Sequence, residues 1–380
     1  MTDNKKTILH IITGLGDGGA EAVLYRLCQF DKKNRHIVIS LMDKGKYGPL
    51  LEEINVKVYC LNMPSGKVHL NALLRLFKLI RLFKPNAVQT WMYHADFIGG
   101  LVARCAGIKN VIWGVHHTTL VKGESRGATI FIAKLNAFIS SFIPRRIIYC
   151  AGKSRQVQES IGFNSRIGQV VPNGYNVDDF IPNSASGNDF RNENDIATID
   201  FLVGHVGRFH PFKDYPTLIK CIGILNKSKH NVKVVMVGND LTEKNKILQE
   251  LISENSCKES MLLLGRRNDI PSVMNGIDLF VLSSVSEAFP NVLNEAMACG
   301  TPCVTTDVGD AAVIVGETGW IVPPKNPQGL ANAVLEAVEE KTNKPQLWQE
   351  RNQACRQRIV DNFSIEKMVL GYHNVWFDDQ

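Results

Sequence analysis

Residues 283–310 read SSVSEAFPNVLNEAMACGTPCVTTDVGD. An apolar run at 277–282 precedes them and predicts a buried strand. The serines break that run into a loop, and Pro290 stands where a helix accepts proline in its first turn. Val292, Leu293, Ala296 and Met297 then recur at helical spacing as far as Cys299. Gly300-Thr301-Pro302 stops the helix, and Cys303-Val304-Thr305 opens the next strand. Glu287 is thereby placed in the loop at a strand's carboxyl end, and Glu295 inside the helix. Between them lie the unpaired amides of a helix N-terminus, which suit an anion. The stretch predicts a nucleotide-diphosphate pocket at the carboxyl edge of an α/β sheet.

The surrounding chain has 380 residues, which suits two domains of ordinary size. With 44% hydrophobic and 21% charged residues and no low-complexity tract, it has ample material for two cores. Nine cysteines are scattered without a CxxC pair, so neither a disulfide frame nor a zinc site is expected, and a reducing cytosol fits. The first apolar run is strand-length, too short for the core of a signal peptide. The longest apolar stretch, 128–143, is interrupted by Lys134 and Asn136 and is a poor bilayer span. A cytoplasmic protein is expected, one able to sit peripherally on the inner face of the cytoplasmic membrane.

Charge is uneven along the chain. Residues 1–182 carry 24 Lys and Arg against 12 Asp and Glu, a net of +12, and the remainder carries 19 against 25, a net of −6. A basic half joined to an acidic half suggests that one half meets an anionic surface or ligand. Nucleic acid is not expected, because no binding motif or aromatic–basic interleaving occurs. At 70–84, LNALLRLFKLIRLFK carries Arg75, Lys78, Arg81 and Lys84 at three-residue spacing on an apolar helix. That is either the cover of a sheet or a contact with an anionic membrane surface. The stretch 128–143 is the other candidate for such a contact.

Short apolar runs alternate with helical ones from Thr7 to Cys150, and again from Phe201 onward. This predicts two parallel-sheet domains, 1–181 and 201–363, separated by a polar linker at 182–200. Several polar groups fall at strand ends. Gly14-x-Gly16-x-x-Gly19 follows a strand and opens a helix, and Asp43 ends the next strand, so an NAD-dependent dehydrogenase is a competing reading. Gly207-Arg208 and Lys213 follow the first strand of the second half, where two cations would face a diphosphate. Arg266 follows the strand 261–264. His116-His117 follows the strand 111–115, with Trp113 expected beneath it. Asn173-Gly174 is a turn.

Glu287, seven residues, then Glu295, with Phe289-Pro290-Asn291 between and Ala-x-Gly-x-Pro after, resembles the donor motif of glycosyltransferase family 4. GLGDGGAE at 14–21 and the G-R-x-x-x-x-K pattern at 207–213 resemble the same family, and the motifs occur in its order across nearly the whole chain. The resemblance implies a GT-B fold: two Rossmann-like domains facing a central cleft, with a final helix at 364–380 crossing back to the first domain. It implies a retaining transferase that moves a hexose or N-acetylhexosamine from a UDP-sugar. The acceptor would be a hydroxyl of a lipid-linked, polyprenyl-diphosphate glycan for surface polysaccharide or lipopolysaccharide. His116, Glu287, Arg208 and Lys213 would be catalytic, with His117 the second choice to His116. Gly18, Gly19, Arg208, Lys213, Arg266, Phe289, Pro290, Asn291, Val292 and Glu295 would bind the donor. No cofactor and no metal are implied, since cationic side chains and a helix dipole take a metal's place. A sugar-nucleotide 2-epimerase of the same plan, the dehydrogenase and a non-catalytic scaffold remain as alternatives.

Overall fold

A computed structural model of the chain describes residues 5–64, 66–116 and 127–378. Two compact units divide it: residues 1–174 with 365–380, and residues 175–364.

The first unit is built on seven strands: β1 (Thr7–Ile12), β2 (Arg35–Ser40), β3 (Lys57–Cys60), β4 (Ala87–Trp91), β5 (Val111–Val115), β6 (Arg146–Tyr149) and β7 (Gly168–Val170). Their order is β3-β2-β1-β4-β5-β6-β7, and every pairing is parallel. The central strands are almost wholly buried because helices cover both faces. Leu70–Phe83, Tyr93–Cys105 and Gly127–Ile139 pack side by side on one face. Gly19–Phe30, Tyr47–Glu53 and Ile365–Phe377 cover the other. The final helix joins this unit by burying Ile365, Met368, Tyr372, Val375 and Trp376, a stripe at helical spacing.

The second unit holds β8 (Phe201–Val206), β9 (Val232–Val237), β10 (Met261–Gly265), β11 (Leu279–Leu282), β12 (Cys303–Thr306) and β13 (Trp320–Val322). The order is β10-β9-β8-β11-β12-β13, again parallel throughout. In each sheet the strand order reverses once, between β1 and β4 and between β8 and β11. Loops leaving the two strands at such a point diverge, and the crevice at their carboxyl ends is where doubly wound sheets bind ligands.

The expected linker at 182–200 is instead part of the second unit. Ser184–Glu193 is a helix, capped by Asn183, whose side chain accepts from Ser186 N at 3.1 Å. It is held by close approach rather than by an apolar stripe. Gly187 lies so near Asn275 that a Cβ would stand 2.4 Å from its carbonyl oxygen. Phe190 packs over Gly276, and Arg191 pairs with Asp278 at 2.8 Å and donates to Gly276 O at 2.7 Å. Only one buried large apolar residue, Phe190, anchors the helix, so composition alone reads as linker.

Candidate active site

The carboxyl ends of β8 and β11 carry the charged residues of the second unit. After β8 the chain turns through Gly207 and Arg208 into a short 3-10 turn, Pro211–Lys213, and Asp214 caps the next helix, Tyr215–Leu225, by accepting from Thr217 N. After β11 come Ser283, Ser284 and Glu287. The two loops are stitched together. Val285 N donates to Phe212 O at 2.8 Å, and Ser283 Oγ donates to Lys213 O at 2.7 Å. Lys213 Nζ lies 2.6 Å from Glu287 Oε1, and Ser284 Oγ donates to that same oxygen at 2.8 Å. Both charged side chains are about four-fifths buried, at 18% exposure each.

Charge attraction and desolvation nearly cancel in such a pair. At 4 Å and an effective dielectric near 20, unit charges attract by roughly 4 kcal/mol, while each ion loses several kcal/mol of hydration. The pair therefore adds little to net stability, and its effect is to hold two charged groups in one place. Beside it Arg208 is exposed, leaving its guanidinium free for an anion. His210 reports the local field. Burial lowers its pKa first, and Arg208 and Lys213 lower it further, each by more than Glu287 raises it. At the ends of β8 and β11 two cations, Arg208 and Lys213, thus stand against the one carboxylate of Glu287.

Asn291–Ala298 forms the expected helix, with Pro290 as its N-cap in extended geometry rather than inside the first turn. No side chain caps that end, so the amides of Asn291 and Val292 point outward unclaimed by a cap. Tyr175 OH donates to Asn291 Oδ1, which fixes the first residue of the helix. Phe289 is buried, its ring edge-on to Phe363 at 5.7 Å, so its ring serves packing and only its backbone can face a ligand. Glu295 is half-buried one turn further on. Gly309, at φ +54, sits where a Cβ would stand 2.4 Å from the carbonyl oxygens of both Glu287 and Ala288. Only glycine allows that approach, which clamps the Glu287 loop from behind.

Arg266 follows β10 and is exposed. Its neighbour Arg267 is committed elsewhere, paired to Asp269 at 2.8 Å through Nε and resting over Phe190. Sequence reasoning missed two groups that shape the β8 loop. His205 Nδ1 meets Val281 O at 3.0 Å and Nε2 meets Tyr215 OH at 3.1 Å. The Tyr215 hydroxyl in turn lies 3.1 Å from the carbonyls of Gly207 and Arg208. A histidine inside an all-buried strand is the available signal. Burial lowers the His205 pKa to about 4, with Lys213 adding to the drop against the Val281 carbonyl.

In the first unit the glycine loop leaves β1 and opens the helix Gly19–Phe30, as the sequence predicts. A Cβ on Gly16 or Gly19 would meet nothing within 4 Å, and Gly18 is crowded only by the flexible carboxylate of Glu21. The loop offers open backbone at a helix N-terminus. His116 follows β5, but Trp113 does not lie beneath it. Alternation along the strand sends Trp113 to the other face, edge-on to Phe163 at 6.4 Å. His116 stacks instead on Trp91, the last residue of β4, at 5.0 Å and 20°. Burial lowers the His116 pKa to about 4, and among the described residues its Nε2 has no hydrogen-bond partner. His117 lies outside the described residues.

Among the described residues, the group of metal-ligating side chains within reach of one another is His10, Cys28 and His36, all buried. His10 Nε2 and His36 Nδ1 are already bound to each other at 2.9 Å, and burial pushes the Cys28 thiol pKa well up. These groups do not fit a resident ion.

Two doubly wound units with cations, a carboxylate and a helix N-terminus at the switch point of one define a glycosyltransferase of GT-B fold. The chain belongs to glycosyltransferase family 4: residues 17–179 match the family described as Glycosyltransferase Family 4, and residues 200–340 that described as Glycosyl transferases group 1. This sets aside the dehydrogenase reading of the glycine loop. The chain is similar to the UDP-Gal:alpha-D-GlcNAc-diphosphoundecaprenol alpha-1,3-galactosyltransferase of Escherichia coli, 25% identical, covering 91% of this chain and 90% of that one. It is similar also to the N-acetylgalactosamine-N,N'-diacetylbacillosaminyl-diphospho-undecaprenol 4-alpha-N-acetylgalactosaminyltransferase of Campylobacter jejuni, 24% identical over 95% of this chain and 97% of that one. The crystal structure of HepE of Anabaena in complex with UDP shares the fold, with a TM-score of 0.85, 21% identity, and coverage of 97% and 98%.

Proposed function

We propose that the protein is a retaining glycosyltransferase that moves a hexose or N-acetylhexosamine from a UDP-sugar to a hydroxyl of a polyprenyl-diphosphate-linked glycan in surface polysaccharide synthesis. The observation that carries this is the Lys213–Glu287 pair, on the two stitched loops that also carry the exposed Arg208 and lead into the uncapped amides at Asn291 and Val292. That arrangement suits a sugar diphosphate: cations and amides for the phosphates, a carboxylate for sugar hydroxyls. Two relatives named for diphosphoundecaprenol-linked substrates, and a fold relative that binds UDP, support the donor and acceptor classes.

In this reading Glu287 accepts from hydroxyls of the donor sugar and Glu295 from those of the ribose. Arg208, Lys213 and the amides of the helix Asn291–Ala298 stabilise the diphosphate as it gains charge. Arg266 borders the base. Gly18 and Gly19 give backbone to donor and acceptor, and His116 contacts the transferred sugar. The acceptor oxygen bonds to the anomeric carbon on the face the diphosphate leaves. The anomeric C–O bond breaks with its electrons going to the diphosphate, and a phosphate oxygen takes the acceptor proton. Arg208 and Lys213 supply the positive charge that a divalent ion supplies elsewhere.

The proposed workplace is the inner face of the cytoplasmic membrane. Among the described residues no helix is long and apolar enough to cross a membrane. On the helix Leu70–Phe83, Ala72, Leu76 and Ile80 are used by the sheet, while Leu70, Leu74 and Leu82 are exposed. Arg75 and Arg81 reach the carbonyls of Cys60 and Ala106, and Lys78 and Lys84 are exposed. On the same side of the sheet Phe131, Phe138 and Phe142 are exposed at 68%, 77% and 70%. Such an apolar and basic surface suits an anionic leaflet. Calorimetry with UDP, UMP and GDP tests the donor reading: UDP binds more tightly than UMP, and Arg208→Ala removes most of that difference. Equal affinity for UDP and UMP contradicts it.

A further inference from the structure

Three buried polar side chains of the first unit, His10, His36 and Asp31, stand in single file leading to the ring beneath His116. Trp91 Nε1 donates to His10 Nδ1 at 3.2 Å. His10 Nε2 and His36 Nδ1 are 2.9 Å apart, with their ring planes inclined by 21°. His36 Nε2 lies 3.2 Å from Asp31 Oδ2. An indole N–H can only donate, so His10 Nδ1 is an acceptor and its proton sits on Nε2. That proton points to His36 Nδ1, which leaves the His36 proton on Nε2, the ring nitrogen 3.2 Å from the carboxylate but not aligned to hydrogen-bond it. The one donor at the Trp91 end thus fixes both tautomers, and the carboxylate stands beside the nitrogen that carries the last proton.

The far end of the file is itself anchored. Asp31 caps the helix Gly19–Phe30, whose first turn follows the glycine loop. Its carboxylate is held by Asn34 Nδ2 at 2.8 Å and by His373 Nε2 at 2.8 Å, the latter from the final helix. Burial would raise the Asp31 pKa, but the His36, His373 and Asn34 side chains gathered at the carboxylate outweigh it, and the carboxyl lies far below its ordinary range. From that same helix Tyr372 stacks on Trp91 at 5.8 Å, and Trp376 Nε1 donates to Gln89 Oε1 at 3.1 Å. Apolar side chains of equal volume would pack as well as this file does. What the file adds is a fixed orientation of the Trp91 ring, on which His116 stacks.

We infer that Asp31, His36 and His10 are positioning residues for the transfer reaction, acting through Trp91 on the ring of His116. None of the three is placed against substrate. The inference rests on the reading that His116 serves the transferred sugar, so two independent measurements are paired. In the full-length protein, His10→Leu removes both ring hydrogen bonds at similar volume. With a UDP-sugar donor and an undecaprenyl-diphosphate-linked acceptor, it lowers kcat about tenfold, the scale of a small misplacement of a reacting group, with the donor KM nearly unchanged. In a His116→Ala background the same change has almost no effect on kcat, because the residue it acts through is gone. Equal losses in both backgrounds overturn the inference, since a structural defect ignores His116. NMR of the imidazole nitrogens needs no turnover: the His116 resonances move in His10→Leu, and unmoved resonances overturn the inference. Should the unsubstituted protein turn over no UDP-sugar, the proposed function fails while the spectra still decide the positioning file. If His10→Leu does not fold, Trp91→Phe keeps an aromatic ring at that place, loses the indole N–H together with the volume of the second ring, and is expected to behave the same way in both measurements.

Discussion

Lys213 Nζ and Glu287 Oε1, 74 positions apart in sequence, meet at 2.6 Å where the loops after β8 and β11 converge. Removing either partner leaves the other as a largely buried charge without its counter-ion. Glu287→Ala is expected to fold and to lower turnover by about two orders of magnitude, the size of a lost oxyanion-type contact. Lys213→Met and Glu287→Gln each lower the melting temperature, and the double variant regains part of that loss without regaining activity. Melting curves and initial rates measured together separate the two effects. Near-normal transfer by folded Glu287→Ala rules out the donor role of this pair.

Much of this pair is legible in the sequence. The E-x7-E string, the strand preceding it and the turn after it place Glu287 at a strand end. G-R-x-x-x-x-K places Lys213 at another. Their meeting follows from sheet order, which one sequence does not state. Trp91 under His116 is less legible. Spacing along β5 makes Trp113 the near neighbour in sequence, but the pleat sends it to the opposite face, and the supporting ring comes from the adjacent strand. The helix Ser184–Glu193 reads as linker because glycine-mediated close approach leaves no apolar stripe to find. Gly309 lies in the stretch 283–310, but its clamp on Glu287 depends on a positive φ that composition does not reveal.

Activity should survive millimolar EDTA, because Arg208, Lys213 and a helix N-terminus supply the charge facing the leaving diphosphate. Initial rates with and without chelator check this. Complete loss, restored by manganese or magnesium, contradicts the charge argument.

Stability should fall as pH drops from about 6.5 toward 4. Burial holds His116 and His205 at about 4 against an ordinary 6.5. In that window the unfolded chain binds protons that the folded chain refuses, so each histidine costs about 1.4 kcal/mol per pH unit. The contribution is fully present above pH 6.5. His205→Gln is expected to flatten the dependence of melting temperature on pH across this window. A slope unchanged by that substitution contradicts the assignment.

Liposome co-sedimentation tests the membrane surface. Each basic residue near an anionic leaflet contributes roughly 1 kcal/mol, and exposed rings add apolar area. Binding is expected to need anionic lipid and to weaken with salt. It should drop in Lys78→Gln with Lys84→Gln, and again in Phe131→Ser with Phe138→Ser. Equal sedimentation with neutral liposomes, indifferent to these changes, favours an acceptor free in solution.

The most direct test of the central claim is the product itself. The protein is incubated with a panel of UDP- and GDP-sugars and an undecaprenyl-diphosphate-linked sugar, and both nucleotide release and the anomeric configuration of the product are measured. The account predicts acceptor-dependent release of UDP and a new linkage with the donor's own anomeric configuration. Release from GDP-sugars alone, or an inverted linkage, would contradict it.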